Sequence, residues 1–170
     1  MAFNLQQFKG ELIGEGARGT LFEAQINFPV GTADRNFTFT CRAAQLPGKT
    51  FGVIEVPYFG RKVKIAGDQT FAEWTVTVIN DESFKTRNAF ESWMSGINQH
   101  AGNIRTNPAY SANAFVTQFA KDGNAIKQYK FVGLFPLDVA PIDLDWGSND
   151  SIEEYSVTFA YQYWESNTTN

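Results

Sequence analysis

The sequence predicts a mainly β fold with one α-helix, an α+β chain built as an antiparallel β-sandwich or barrel-like subunit. Three observations predict it. Apolar and polar side chains alternate with period two in segments of strand length, and Gly, Pro, Asn or Asp separates the segments. One stretch carries apolar residues at helical spacing instead. Asp122-Gly123 stands between two apolar runs, and that pair tolerates the positive φ angles of a tight hairpin turn.

Residues 1–18 read as an N-terminal arm that orders on assembly. Gly14, Gly16 and Gly19 spell G-x-G-x-x-G, but no adequate strand precedes them and a strand follows, which is not the dinucleotide-binding arrangement. In residues 19–28, Phe22, Ala24, Ile26 and Phe28 alternate with Glu23, Gln25 and Asn27. Residues 36–44 repeat the pattern as an expected strand, with Phe37, Phe39 and Cys41 opposite Thr38, Thr40 and Arg42.

Residues 46–68 form a long excursion whose prolines and glycines disfavour a central strand. It nevertheless carries Phe51, Val53, Ile54, Val56, Tyr58, Phe59, Val63 and Ile65. Two readings stand equal: an extended hairpin buried against another subunit, or a loop packed back on its own domain.

In residues 71–79, Trp74, Val76 and Val78 face away from Glu73, Thr75 and Thr77. The helix is expected over residues 82–101, with Asp81 or Ser83 capping its start and His100 in its last turn. Phe84, Ala89, Phe90, Trp93, Met94 and Ile97 make its stripe. Of these Phe90, Trp93, Met94 and Ile97 are the expected core contacts, sealing the sheet side that carries Trp74, Val76 and Phe159. A hairpin follows across residues 121–124. A last strand over residues 152–164 sets Tyr155, Val157, Phe159 and Tyr161 against Glu154, Ser156, Thr158 and Gln162, and residues 166–170 form a tail.

Composition bounds the function. The 170 residues are 43% hydrophobic and 19% charged with net charge -4, which fits a single domain over residues 1–170. No apolar run approaches the roughly 20 residues of a membrane span, so no membrane anchor is expected. The first residues lack a basic and then apolar leader, so the chain is expected to fold where it is made. A lone cysteine, Cys41, and a lone histidine, His100, leave no disulfide, no histidine metal cluster and no nucleophile triad. No cofactor, metal or enzymatic activity is expected. Asp138, Asp143, Asp145, Asp150, Glu153 and Glu154 could hold a cation on paper, but their spacing matches no binding loop, and an acidic rim is the stronger reading. The charge balance argues against gripping DNA phosphates, though not against letting DNA slide past.

The uncovered polar faces are either plain monomer surface or the lining of a channel. One chain of this size would close a barrel filled by its own side chains. Six copies lending four strands each, at a spacing of about 4.8 Å and a tilt near 40°, would close at a backbone diameter of roughly 48 Å, leaving close to 40 Å inside.

Leu46-Pro47-Gly48 and Glu55-Val56-Pro57-Tyr58-Phe59-Gly60-Arg61-Lys62-Val63-Lys64-Ile65-Ala66-Gly67-Asp68 closely resemble the tail tube proteins of contractile-tailed, T4-like bacteriophages. Phe71-Ala72-Glu73-Trp74-Thr75-Val76-Thr77-Val78-Ile79-Asn80-Asp81, Arg87-Asn88-Ala89-Phe90-Glu91-Ser92-Trp93, Tyr129-Lys130-Phe131-Val132-Gly133 and Phe135-Pro136 are similar to the same family. The resemblance implies hexameric rings that stack helically into a tube with a continuous inner β-barrel, inside a contractile sheath, through which genomic DNA is ejected into the host. It implies as partners further copies of the chain, a tail sheath protein, baseplate tube-initiator proteins, and the tape-measure protein and genomic DNA in the lumen. The location implied is the virion tail, assembled in the host cytoplasm.

On that reading the lumen is lined by Glu23, Gln25, Asn27, Thr38, Thr40, Thr75, Thr77, Ser156, Thr158 and Gln162, with Arg42 paired to a carboxylate. Lys49, Phe51, Tyr58, Phe59, Arg61, Lys62 and Lys64 are the expected ring-stacking residues, facing the acidic Asp138, Asp143, Asp145 and Asp150. The alternatives are the tube of a type VI secretion or extracellular contractile injection system, a monomeric β-barrel that binds a small apolar ligand and, remotely, an acidic hydrolase.

Overall fold

A computed structural model describes residues 4–29, 33–100, 102–104 and 110–169. Parts of three expected segments lie outside these: residues 1–3 of the arm, residue 101 at the helix end and residue 170 of the tail. The described elements are helices α1 (Leu5–Glu11), α2 (Asp34–Thr40) and α3 (Lys85–Ile97), and strands β1 (Phe22–Ile26), β2 (Cys41–Ala44), β3 (Lys49–Tyr58), β4 (Arg61–Phe71), β5 (Trp74–Ile79), β6 (Ala112–Phe119), β7 (Ala125–Val139), β8 (Glu154–Ala160) and β9 (Tyr163–Ser166). Strand pairing is antiparallel throughout.

The long strand β7 organises the body. Its first half pairs with β6 and β9, whereas residues from Phe135 onward pair with β8. Between the halves Gly133 takes φ 68°, and a Cβ there would lie 2.7 Å from Cγ of Gln162. Only glycine supplies that turn without strain or collision. The bend folds one sheet into two layers of four strands, β1-β6-β7-β9 and β7-β8-β5-β2.

The alternation seen in the sequence sorts onto these layers. Trp74, Val76 and Val78 of β5 and Tyr155, Val157 and Phe159 of β8 are buried, and they meet Ala24, Ile26, Ala114, Val116 and Phe131 from the other layer. Trp74 stacks on Phe131 with centroids 4.5 Å apart. Helix α3 closes this core with Phe90 and Trp93, whose rings lie 5.7 and 6.3 Å from Phe159. The buried indoles keep their polar ends satisfied: Trp74 donates to the Gln45 carbonyl at 2.8 Å and Trp93 to the Tyr110 carbonyl at 2.6 Å. Met94 and Ile97 are half-buried.

Several expectations need correction. Residues 36–40 are helical, so Thr38 and Thr40 lie on α2 and not on a strand. The Thr40 hydroxyl donates back to the Asn36 carbonyl at 2.9 Å, a bond of a helical turn. Phe37 is fully buried against Phe28 and Phe90, whereas Phe39 is 77% exposed. A run this short reads equally well with period two or 3.6, and the tertiary contact of Phe37 decided it. The described α-helices therefore number three, not one, beside a short 3-10 turn at Ile13–Glu15. Helix α3 starts at Lys85 after Phe84 in the left-handed region, without a side-chain cap, and ends before His100. The Asp81 carboxylate instead braces the turn ahead of it, accepting from the Ser83 hydroxyl at 2.7 Å and the Asn36 amide at 3.3 Å. The last long strand is two, broken at Tyr161 and Gln162, because β9 leaves the β8 layer to pair with the first half of β7.

The excursion proves to be a hairpin standing off the body. Strands β3 and β4 form their own two-stranded sheet, turned by Phe59 and Gly60 at φ 42° and 79°. Its root is tied down where the Trp164 indole donates to the Gly48 carbonyl at 3.3 Å and Phe71 meets Tyr161 at 5.9 Å.

Candidate functional site

The outer face of the layer β7-β8-β5-β2 carries a ladder of small hydroxyls. Thr75 lies opposite Thr158 and Thr77 opposite Ser156, and the Thr75 and Thr158 hydroxyl oxygens are 3.4 Å apart. Asp138 of β7 stands in register with Thr158 and so joins this row. Arg42, at a bulge in β2, forms an ion pair with Glu154, matching the carboxylate partner expected for it. The face thus presents hydroxyls, a neutralised ion pair and one further carboxylate. It is polar without being a cluster of cations, and among the described residues β2 and the second half of β7 leave unpaired edges on either side of it.

The other expected lumen residues do not join this face. Glu23 and Gln25 are exposed on β1, which belongs to the opposite layer across the core. Asn27 follows the end of β1, donating its backbone N–H to the Asn113 carbonyl at 3.0 Å, and Gln162 sits between β8 and β9, packed over Gly133. Thr38 and Thr40 are helical, as noted. Alternation identified the outward side chains of β1, β5 and β8, but it carries no record of which outward faces look the same way.

The hairpin leaves one end of this layer. Cross-strand partners share a face, so Ile54 and Ile65, Val56 and Val63, and Tyr58 and Arg61 line one side, and Val53 and Ala66, Glu55 and Lys64, and Pro57 and Lys62 the other. The apolar members stay uncovered: Val56 is 44% exposed, Tyr58 67% and Phe59 94%. Tyr58 and Phe59 meet edge to face at 4.8 Å at the tip. Lys62 is neutralised by Glu55 at 2.7 Å, whereas Arg61 and Lys64 have no ion pair among the described residues. Lys49 and Phe51 lie near the root, where the Lys49 ammonium sits 5.4 Å from the centroid of Trp164, so they are remote from the tip group.

The opposite end of the layer is closed by residues 140–153, which join β7 to β8 beside the pairing of Ile79 with Glu154. Asp143, Asp145 and Asp150 lie here, exposed, while Asp138 lies on the hydroxyl face instead. The Asp145 carboxylate accepts the Gly147 N–H at 2.9 Å, which shapes the turn. Trp146 at that turn is 98% exposed, Leu144 80% and Ile152 71%, along an open groove of about 400 Å³. Sequence reasoning passed over Trp146; a tryptophan in a polar, turn-rich segment with no apolar periodicity around it was the available signal. Among the described residues no group of three or more His, Cys, Asp or Glu is placed to hold a metal ion.

Three titratable groups, Cys41, Tyr155 and Tyr161, are raised by burial. Cys41, half-buried at the start of β2, has its thiol pushed up to about 12 by desolvation. Burial also raises the Tyr155 phenol, against the opposing pull of the Arg87 guanidinium 5.1 Å from its ring. None of the three lines a described groove, and all belong to packing.

A family model described as phage tail tube protein matches residues 17–167. The tail tube protein gp19 of Enterobacteria phage T4 is 41% identical over 156 residues, covering 89% of this chain and 93% of that protein. Among solved structures, a chain of the anti-feeding prophage baseplate superposes with a TM-score of 0.69 at 14% identity, covering 88% of this chain and 94% of its own. A chain of the sheath–tube complex of an extracellular contractile injection system, PVC, in its extended state superposes with a TM-score of 0.63 at 13% identity, covering 98% and 99%. The structural likenesses carry the fold; the sequence matches carry the family.

Proposed function

The chain belongs to the phage tail tube protein family, and from that membership we propose that six copies close a ring whose bore is lined by the hydroxyl face of β7-β8-β5-β2, and that rings stack into the tube of a contractile tail. The subunit is a structural component of the virion tail. Its four-stranded layer with two unpaired edges is the unit such a barrel needs, β2 of one copy meeting β7 of the next. Twenty-four strands give the roughly 48 Å backbone diameter reckoned above. Such a bore passes a DNA duplex.

Lumen chemistry follows from the face. DNA binds proteins chiefly through cations that displace its counterions, and this face offers one, Arg42, already neutralised by Glu154. Thr75, Thr77, Ser156 and Thr158 hydrate the wall, and Asp138 adds weak repulsion. The conduit works by failing to hold its cargo. Around the tube we place a sheath protein, at its base the tube-initiator proteins of the baseplate, and inside it the tape-measure protein before DNA.

Stacking rests on the unlike ends. A subunit with different chemistry at its two ends associates head to tail and grows without closing. The hairpin end carries Arg61 and Lys64 with Tyr58 and Phe59; the other carries Asp143, Asp145 and Asp150. The observation that carries the whole reading is the unpaired hydroxyl layer set between those ends. Replacing Thr75, Thr77 and Thr158 by lysine tests it: tubes should form at normal length while DNA ejection from assembled particles slows or stops. Unchanged ejection would overturn the lumen assignment.

A further inference from the structure

The exposure of Trp146 has no explanation inside the subunit. Its indole is 98% exposed on a turn held by Asp145 and Gly147, flanked by Leu144 and Ile152, which are also largely uncovered. Isolated exposed apolar residues are ordinary, but here Leu144, Trp146 and Ile152 line one groove together with acidic side chains, a mix of aromatic, apolar and charged groups suited to an interface. Tryptophan is among the residues that most often supply the binding energy of such centres.

The hairpin tip is complementary to this patch in shape class and in charge. It projects the edge-to-face pair Tyr58 and Phe59, with Phe59 94% exposed, and beside them Arg61, which has no ion pair among the described residues. One aromatic pair with a guanidinium meets one indole with three carboxylates, Asp143, Asp145 and Asp150. A guanidinium stacks favourably over an indole face while its N–H groups reach carboxylates. Tip and patch sit at opposite ends of the layer, so they cannot meet within a subunit that keeps this fold, but they face each other in any head-to-tail pair. Roughly 33 Å of two-stranded ribbon gives the tip its reach. A ribbon of that kind has little stability alone, so it needs the surface it lands on.

We propose that the groove around Trp146 is the receptor for the β3–β4 tip of a second copy, with Trp146 as its anchor, packed between Phe59 and the Arg61 guanidinium of the incoming hairpin. This rests on the head-to-tail stacking reading and assigns the contact that performs it.

The test uses the full chain and its self-assembly. Trp146→Ala should leave the thermal melting of the unassembled subunit unchanged, since the side chain touches nothing it would unpack. The concentration needed for tube growth should rise at least about 30-fold, the scale of a hot-spot loss, and Trp146→Phe should recover part of it. Independently, Phe59→Cys with Leu144→Cys, in a Cys41→Ala background, should give a ladder of disulfide-linked multimers in assembled tubes under mild oxidation, and each single cysteine should not. Normal assembly of Trp146→Ala, or no ladder from tubes that do form, overturns the receptor. In that event stacking by the hairpin stands or falls separately, on whether deleting residues 51–60 stops tube growth.

Discussion

The sandwich body and the β3–β4 hairpin are written in the same alphabet and behave oppositely. Both are built of antiparallel strands rich in β-branched residues and both carry aromatic residues. In the body the apolar set meets a second layer and disappears, with Trp74, Val76, Val157 and Phe159 at 0–1% exposure. In the hairpin the apolar residues of both faces stay in water, with Val53, Ile54, Val63 and Ile65 at 48–61%. The difference is one of partners. A fold buries what it can reach, and the hairpin stands off its own body, so its apolar surface stays uncovered among the described residues.

The sharpest way to break this comparison is to delete residues 51–60. If the hairpin belongs to assembly and not to the body, electron microscopy should find single rings or monomers in place of long tubes, with the melting of the subunit little changed. Long tubes, or a subunit that no longer folds, would erase the distinction between the two regions.

Next in size comes a paired truncation. Phe159→Ala removes a ring that touches Trp74, Phe90 and Trp93 and should cost about 3–5 kcal/mol in denaturant unfolding of the subunit. Val56→Ala in the hairpin should cost about 0.5 kcal/mol or less in the same measurement, its effect emerging only in assembly. Equal losses would place both residues in one core.

The smallest effect sharpens the boundary of the body. Cys41 opens β2 with its thiol raised from 9.0 to about 12 by burial. The folded chain therefore keeps a proton that the unfolded chain gives up, and stability is whole below pH 9 and declines between pH 9 and about 12. Cys41→Ala should flatten that part of the curve when unfolding is followed against pH, and a slope equal to that of the parent chain would mean that the thiol is solvated.

Much of the body was legible residue by residue. The strand expected over residues 71–79, formed over Trp74–Ile79, the turn at Asp122 and Gly123, and the burial of Phe90 and Trp93 follow from periodicity and turn chemistry. Residues 36–40 were not legible, because Phe37 serves a helical turn only by virtue of Phe28 and Phe90, which are remote in sequence or on another element. The residues expected to stack do not gather in one place: Lys49 sits at the root, Lys62 is consumed by Glu55, and Asp138 lies on the hydroxyl face. Trp146 was invisible to periodicity, since one exposed aromatic in a turn leaves no pattern to count.

What the sequence determined by itself is local: which side chains in each strand point inward, where the chain turns, and the family to which its motifs belong. Alternation settles these because successive Cβ atoms leave a strand on opposite sides whatever lies beyond. Tertiary structure alone decided which outward faces look the same way. Glu23 and Thr75 are both outward, yet the bend of β7 at Gly133, fixed by its φ of 68° and by the crowding of Gln162, puts them on opposite layers. A face is shared only through pairing between distant strands, and that pairing is a property of the whole chain.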